Sequence, residues 1–241
     1  MGIMALRPFL YQVQLKFGQA YLWQDGSEFT LIDTGIPGSA EDIHDALRYH
    51  LQRDTSAIRR ILITHAHEDH YGSAADIRAW HGAPVHVHAA DAAVVRGEAR
   101  QAPPVLTEFD KPIWEQIQAL GIPGMDVPPS TVDVELSGGE VLDFGGGAQI
   151  LHVPGHTPGS IAIYLPEHKT LFTGDTVANE GGVLLGVFNQ DEDLMLDGFR
   201  RLADLDVETV CFGHGEPIVE GAGAALRAAV NSHQKRRPIN A

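Results

Sequence analysis

The stretch that decides the fold is Arg60-Ile61-Leu62-Ile63-Thr64-His65-Ala66-His67-Glu68-Asp69-His70. It opens with a continuous apolar run, which is typical of a strand buried on both faces. Four side chains that can bind a metal follow at once, namely His65, His67, Asp69 and His70. In an extended chain, residues two apart point to the same side, so His65 and His67 can share one ion. The stretch therefore predicts a metal site at the end of a buried strand.

Three further polar residues follow apolar runs of strand type, each beside glycine or proline. They are His156 in Pro154-Gly155-His156-Thr157-Pro158-Gly159, Asp175 in Thr173-Gly174-Asp175-Thr176, and His214 in Gly213-His214-Gly215. One such residue alone is more often a turn or capping residue. Three of them at successive strand ends favour convergence on one site. Asp69 and His70 stand where the chain turns into the next helix, and they can face a second metal.

The order of the elements predicts an α+β protein. Short strands come in two blocks, residues 9–33 and 131–173, and helices follow each block. Two sheets packed face to face with helices outside, an αββα sandwich, satisfy this order. A doubly wound parallel sheet is the competing arrangement, but strict alternation of strand and helix fails in both blocks. We expect one domain over residues 1–241 with a helical insertion at about 101–130, a segment that holds six of the fourteen prolines.

Composition excludes several partners. The 241 residues carry 17 Lys and Arg against 32 Asp and Glu, a formal net charge of −15. Binding to nucleic acid or to an anionic membrane depends on basic side chains, so neither partner is expected. The single cysteine, Cys211, cannot form an intrachain disulfide. The first residues lack the pattern of a signal peptide, and we expect a cytoplasmic protein.

The ordered motifs resemble those of the metallo-β-lactamase superfamily. They are Ile32-Asp33-Thr34-Gly35, the H-x-H-x-D-H run from His65, P-G-H-T-P-G-S from Pro154, T-G-D from Thr173 and G-H-G from Gly213. The resemblance covers most of the chain. It implies two mixed β-sheets flanked by helices, with a cleft for two metals at one edge of the sheets.

The resemblance also implies a ligand set. One metal would be bound by His65, His67 and His156, and the other by Asp69, His70 and His214, with Asp175 bridging both. Asp33 is expected to orient a ligand rather than to bind metal. The cofactors are expected to be two divalent metal ions, zinc in first place, with iron or manganese as alternatives.

The expected chemistry is hydrolysis. Two metals about 3.5–4 Å apart lower the pKa of bridging water, and the resulting hydroxide can attack a carbonyl carbon or a phosphorus. Asp69 or Asp175 is expected to relay a proton to the leaving group. A cysteine ligand usually stands at the position of Asp175 in true metallo-β-lactamases, which argues against antibiotic hydrolysis. The chain is similar instead to small lactonase and glyoxalase II-like hydrolases, so the expected substrate is a small ester, lactone or thioester.

Two rival functions stay open at this point. The first is a mononuclear-iron persulfide dioxygenase, whose ligands would be His65, His156 and Asp175. The second is a non-catalytic metal-binding protein on the same fold. Two apolar segments, Gln101–Pro129 and Gly181–Phe188, fit a lid over a substrate pocket as well as they fit core packing or a homodimer contact.

Overall fold

The described strands form two large sheets and one hairpin. The computed structural model describes residues 2–122 and 124–236. In the first sheet the seven strands lie side by side in chain order, with antiparallel pairs from β1 to β4 and parallel pairs from β4 to β7. They are β1 (Ile3–Arg7), β2 (Leu10–Gln14), β3 (Gln19–Asp25), β4 (Glu28–Ile32), β5 (Ile58–Leu62), β6 (Val85–His88) and β7 (Val134–Leu136).

The second sheet has five strands in the order β14-β11-β10-β9-β8. Only β11 and β14 are parallel to each other. Its strands are β8 (Val141–Leu142), β9 (Ala148–His152), β10 (Ile161–Leu165), β11 (Thr170–Phe172) and β14 (Thr209–Cys211). The hairpin pairs β12 (Val177–Asn179) with β13 (Val183–Leu185).

The described chain also contains seven α-helices. They are α1 (Ala40–Asp45), which continues as a wider turn over Ala46–His50, α2 (Glu68–Tyr71), α3 (Ala74–His81), α4 (Ala89–Val95), α5 (Asp110–Ala119), α6 (Glu192–Ala203) and α7 (Ala222–Arg236). Within the part of the chain that the structure describes, none of these helices is long and apolar enough to cross a membrane.

Alternation along the central strands produces the layers. Ile61 and Ile63 pack against the helices outside the first sheet, whereas Leu62 between them belongs to the core shared by the two sheets. The second sheet repeats this arrangement, since Ile163 faces the first sheet and Ala162 packs in the cluster of α6 and α7. The order is therefore helices, sheet, sheet, helices. The expected αββα sandwich of two mixed sheets is confirmed.

Details of the fold differ from the sequence-based expectation. Strand β1 was not expected, because its edge position leaves a mixed pattern of exposure instead of clean alternation. Its last residue, Arg7, donates to the Thr209 hydroxyl on β14 and so joins the two sheets. Strand β7 follows the insertion but joins the first sheet beside β6. The apolar segment Gly181–Phe188 is not a simple loop, because it contains β13.

Candidate metal centre

The ligand loops all begin at carboxyl ends of strands. Loops after β5, β9, β11 and β14 carry His65 to His70, His156, Asp175 and His214, respectively. Strands β4 and β5 are parallel neighbours in one sheet, and β11 and β14 are parallel neighbours in the other. The loops of both sheets therefore meet at the same edge of the sandwich.

The first set of side chains, which we call the three-histidine group, consists of His65, His67 and His156. Nδ1 of His67 lies 3.2 Å from Nε2 of His65 and 2.9 Å from Nε2 of His156. Nitrogen ligands of one tetrahedral zinc ion, each about 2.0–2.1 Å from the metal, stand roughly 3.3 Å apart. The three nitrogens are thus spaced as ligands of a single ion would be.

The second set, which we call the acidic group, consists of Asp69, His70 and His214. Nε2 of His214 lies 3.0 Å from Oδ2 of Asp69, and Nε2 of His70 lies 3.7 Å from the same oxygen. The three ligand atoms lie within 4.8 Å of one another. Asp69 and His70 are buried, while about a quarter of the His214 side chain is exposed, which leaves this group open on one side.

Asp175 lies between the two groups. Its Oδ1 is 3.3 Å from Nε2 of His70, and its Oδ2 is 3.4 Å from Nε2 of His214 and 3.6 Å from Nε2 of His156. One carboxylate therefore contacts imidazoles of both groups. The structure brings together all seven side chains that the sequence singled out.

The centre contains buried polar atoms that a bound cation would satisfy. Among the described residues, His70 Nε2 and Asp175 Oδ1 are buried without a hydrogen-bond partner, which is costly unless something else satisfies them. A Cβ at Gly213 would lie only 1.9 Å from Asp175 Oδ1 and 2.8 Å from His70 Cε1. Imidazole and carboxylate are the ligands of zinc and of similar divalent metals. The residues present fit such ions.

A family model described as the metallo-beta-lactamase superfamily matches residues 14–214. The chain belongs to the metallo-β-lactamase superfamily. Its relatives include GloC of Haemophilus influenzae, a hydroxyacylglutathione hydrolase that is 30% identical over 88% of this chain and 91% of GloC. The probable metallo-hydrolase YflN of Bacillus subtilis is 26% identical over 87% of this chain and 84% of YflN.

Solved structures of the superfamily share the fold. The family protein TTHA1429 from Thermus thermophilus has a TM-score of 0.71 at 26% identity, covering 96% of this chain and 81% of that one. TTHA1623, solved in a di-iron-bound form, has a TM-score of 0.64 at 26% identity over all of both chains. The resemblance inferred from the sequence motifs is therefore confirmed.

In this member of the superfamily, Asp33 orients histidines of both groups. Its carboxylate accepts hydrogen bonds from the Thr64 amide (2.7 Å), from the Thr64 hydroxyl (2.8 Å) and from Nδ1 of His70 (2.8 Å). Because the Thr64 hydroxyl donates to Asp33, its lone pairs are free to accept from Nδ1 of His65 at 3.0 Å. Both imidazoles then direct Nε2 toward the centre. Asp33 adopts a positive φ of 60°, which only a few residue types tolerate.

Asn189 orients His156, a second histidine of the three-histidine group. Sequence reasoning missed it, since its only signal was one amide beside an apolar segment. Its Nδ2 donates to the Gly186 carbonyl at 2.8 Å, so its Oδ1 is the atom that faces Nδ1 of His156 at 3.2 Å. His156 therefore donates through Nδ1 and presents Nε2 to the centre.

The loop that carries His214 is held by two buried polar side chains of β3, which sequence reasoning also missed. Nε2 of Gln19 donates to the carbonyls of Phe212 (2.7 Å) and Gly215 (2.8 Å), and the Tyr21 hydroxyl donates to Phe212 at 2.7 Å. These bonds cross from the first sheet to the second and fix the backbone on both sides of His214.

The two groups differ in their charge. Burial lowers the pKa of His65, His67 and His156, to about 3 for His67, so these imidazoles are neutral. In the acidic group burial also opposes the imidazolium, but Asp175 and Asp69 outweigh it and raise the pKa of His214 to about 10.

The same balance applies to the partners of His214. Against the effect of burial, carboxylates raise the pKa of His70 well above its ordinary value, and His70 and His214 hold the pKa values of Asp69 and Asp175 below theirs. Metal binding to this group must therefore displace protons.

The segment around α5 is attached on both sides of the centre. The Val105 amide donates to the Asn189 carbonyl at 2.8 Å, and the Gly124 amide donates to Oε1 of Glu68 at 3.0 Å. The Glu68 side chain that accepts this bond is half-buried. Trp114 on α5 packs edge-on against Phe188 at 4.9 Å, next to Asn189.

A second H-x-H pair, His86 and His88, lies in β6. Among the described residues, neither belongs to a candidate metal-ligand cluster.

Proposed function

We propose that this protein is a hydrolase that uses two divalent metal ions, zinc in first place, to cleave an ester, lactone or thioester bond in a small molecule. The observation that carries the proposal is the position of Asp175, whose carboxylate lies 3.3–3.6 Å from imidazoles of both groups. Two ions held by these groups would share that carboxylate. The relatives named metallo-hydrolase and hydroxyacylglutathione hydrolase, and the di-iron-bound relative, support it.

In this proposal each of the two groups binds one metal ion. The three-histidine group would hold one ion and the acidic group the other, with Asp175 binding both. When bound, a pair of divalent ions lowers the pKa of water toward neutrality and so supplies hydroxide. Asp69 and Asp175 neutralise only part of the added charge, which leaves the cleft attractive to a carbonyl oxygen within a protein of net charge −15.

The carboxylates also suit a proton relay. Hydrolysis forms a bond between a water oxygen and the carbonyl carbon, and breaks the bond from that carbon to an alcohol or thiol. The departing oxygen or sulfur needs a proton, and the remaining proton of the water is its source. Asp69 and Asp175 have pKa values below the usual range, so both are ionised at neutral pH, and the relay proposed for them rests on their position in the centre rather than on their basicity.

We treat residues 1–241 as a single domain. Within it, we propose that the insertion at about 101–130 contacts the substrate. Its bonds to Asn189 and Glu68 attach it to residues that adjoin ligands of both groups. Phe188 has a positive φ of 62°, and such backbone strain is concentrated at functional sites. With Trp114 it supplies apolar surface that suits an acyl chain.

Two properties accompany this assignment. A small-molecule substrate and a cytoplasmic location, without nucleic acid or membrane partners, agree with the net charge of −15 and the single buried Cys211. The alternative role of the insertion is to form the contact of a homodimer, because the apolar side chains of Val105, Phe109 and Leu120 are more than 60% exposed. The molecular mass of the protein in solution shows whether it is a monomer or a dimer and so distinguishes the two roles.

The test is a substrate panel with and without a chelator. We expect purified protein to hydrolyse nitrophenyl esters, acyl lactones or thioesters, to lose this activity with chelator, and to regain it with zinc. A control variant far from the centre, Asp133→Asn, should show wild-type hydrolysis and the same response to chelator and zinc. Inactivity across the panel with both metals bound would favour a non-catalytic protein. One iron per chain together with oxygen consumption on a persulfide would favour the dioxygenase.

A further inference from the structure

Asp91 is a completely buried carboxylate that the proposed reaction does not use. It lies in the first turn of α4, where its neighbours in Ala89–Val95 are alanine and valine. Its Oδ2 accepts hydrogen bonds from the Ala66 amide at 2.8 Å and from the Thr157 hydroxyl at 2.7 Å, and its Oδ1 accepts from the Gly159 amide at 2.9 Å. Three donors converge on one side chain outside the ligand set.

The donors belong to the two loops that carry the three-histidine group. Ala66 stands between His65 and His67, and Thr157 directly follows His156. The first loop leaves β5 of one sheet and the second leaves β9 of the other. Asp91 therefore joins the two sheets at the place where the distances among the three imidazoles are set.

The fit around Asp91 is tight. A Cβ at Gly159 would lie 2.5 Å from Cγ of Asp91, so a side chain at that position would displace the carboxylate. The Thr157 hydroxyl is also within 2.9 Å of the Ser160 hydroxyl, which restricts its rotation. The carboxylate and the loop after His156 are consequently held as one unit.

Only a carboxylate satisfies all three donors. An asparagine at this position would present one acceptor oxygen and one NH2 group, and the NH2 group would face either the Ala66 amide or the Gly159 amide. A buried donor facing another donor leaves both unsatisfied. The chain therefore keeps a buried carboxylate beside the three-histidine group.

We propose that Asp91 is a positioning residue that holds His65 and His67 in register with His156 and so sets the metal affinity of the three-histidine group. This inference rests on the proposed function only in that the three histidines bind a metal. Residues that orient metal ligands in this way typically change metal affinity about 10–100-fold when they are replaced.

The experiment measures metal binding by Asp91→Asn without any assay of activity. Metal-free protein is titrated with zinc against a chromophoric chelator, and the cobalt-substituted protein is compared by its visible spectrum, which reports ligand geometry. We expect one of the two metals to bind about 10–100-fold more weakly, with an altered cobalt spectrum, and the other metal to bind as in the wild type.

Asp133→Asn is the matched control. The Asp133 carboxylate also accepts three hydrogen bonds, from Nε (2.9 Å) and Nη2 (2.8 Å) of Arg78 and from the Val85 amide (2.9 Å), but none of them involves a ligand loop. This variant should lose stability without any change in either metal affinity.

Thr157→Val decides the question if Asp91→Asn does not fold. It keeps the Asp91 carboxylate and the shape of the Thr157 side chain but removes the hydrogen bond between them. A smaller loss of affinity for the same metal is expected. Wild-type affinities and cobalt spectra in the variants that fold would show that Asp91 serves stability alone. A wild-type protein that binds no metal would instead overturn the proposed function.

Discussion

The three-histidine group and the acidic group lie side by side, but their histidines differ in charge and in the contacts that hold them. The first consists of neutral imidazoles that residues outside the group hold in place. Asp91 accepts hydrogen bonds from both loops that carry these histidines, and Asn189 accepts one from His156. The second balances its own charge, because two carboxylates face two imidazoles whose pKa values they raise. Without metal, the first group lacks a cation between its nitrogens, whereas the second already has protons there. A metal ion should therefore complete the first group and compete with protons in the second.

The change with the largest expected effect removes the residue that joins the two groups. Asp175→Ala should release metal from both groups and reduce the rate by more than the roughly 10²–10³-fold cost of removing one electrostatic contact to a transition state. Metal content by elemental analysis and initial rates with the best substrate of the panel measure the two effects. Full metal content with a wild-type rate would show that Asp175 does not bridge the groups.

Removal of one ligand from each group tests whether the groups are separate sites. His67→Ala and His214→Ala should each lower the metal content from about two ions to about one per chain, because each variant leaves one set of three ligands and Asp175 intact. His44→Ala, at an exposed histidine, is the matched control and should retain both ions. Loss of both ions in either variant would mean that the groups form one cooperative site.

A smaller effect is expected from the residues that orient the ligands, and it should differ between them. Asn189→Ala should lower the affinity for one metal ion about 10–100-fold, because Asn189 contacts only His156 among the candidate ligands. Asp33→Asn should lower the affinity for both metal ions, because Asp33 orients His70 directly and His65 through Thr64. Asparagine tolerates the positive φ at this position, so the backbone is retained. Zinc titration measures both variants, and equal effects on one metal alone would contradict the two-sided role of Asp33.

The last prediction concerns the stability of the metal-free protein. The pKa of His67 is about 3 in the fold and about 6.5 in an unfolded chain. The unfolded state therefore binds more protons between these values, and the free energy of unfolding falls as the pH drops from about 6.5. His214, with a pKa of about 10, has the reverse effect, since its contribution is lost as the pH rises from about 6.5 to 10.

Chelator-treated protein should accordingly be most stable near pH 6.5 in denaturant unfolding. His67→Gln should make the free energy of unfolding fall less steeply as the pH drops below about 6.5. His214→Gln should make it fall less steeply as the pH rises above about 6.5. A profile that neither substitution changes would contradict the opposite charge states of the two groups.

The convergence of the candidate ligands could be predicted from the sequence because their signal is local. His65, His67, Asp69 and His70 share one run after a buried strand, and Asp175 stands at the same kind of strand end, between glycine and threonine. The αββα layers could be predicted from the order of the elements, since short strands come in two blocks and helices follow each block.

The supporting residues could not be predicted because their partners are distant in the chain. Asp91 contacts Ala66 and Thr157 across 25 and 66 positions, and Gln19 contacts Phe212 across 193. A single aspartate in an alanine-rich helix, or a glutamine at the start of a strand, has no spacing that reveals such contacts. The edge strand β1 was missed on similar grounds, because its pairing with β2 is a property of the sheet and not of its own pattern.

The central claim is that two metal ions share Asp175 between the three-histidine group and the acidic group. Its most direct test is a zinc titration of the metal-free protein with metal binding and hydrolysis followed together. We predict saturation at about two ions per chain, with hydrolysis appearing as the second ion binds. Saturation at one ion with full activity, or two bound ions with no hydrolysis of any ester, lactone or thioester, would contradict the account.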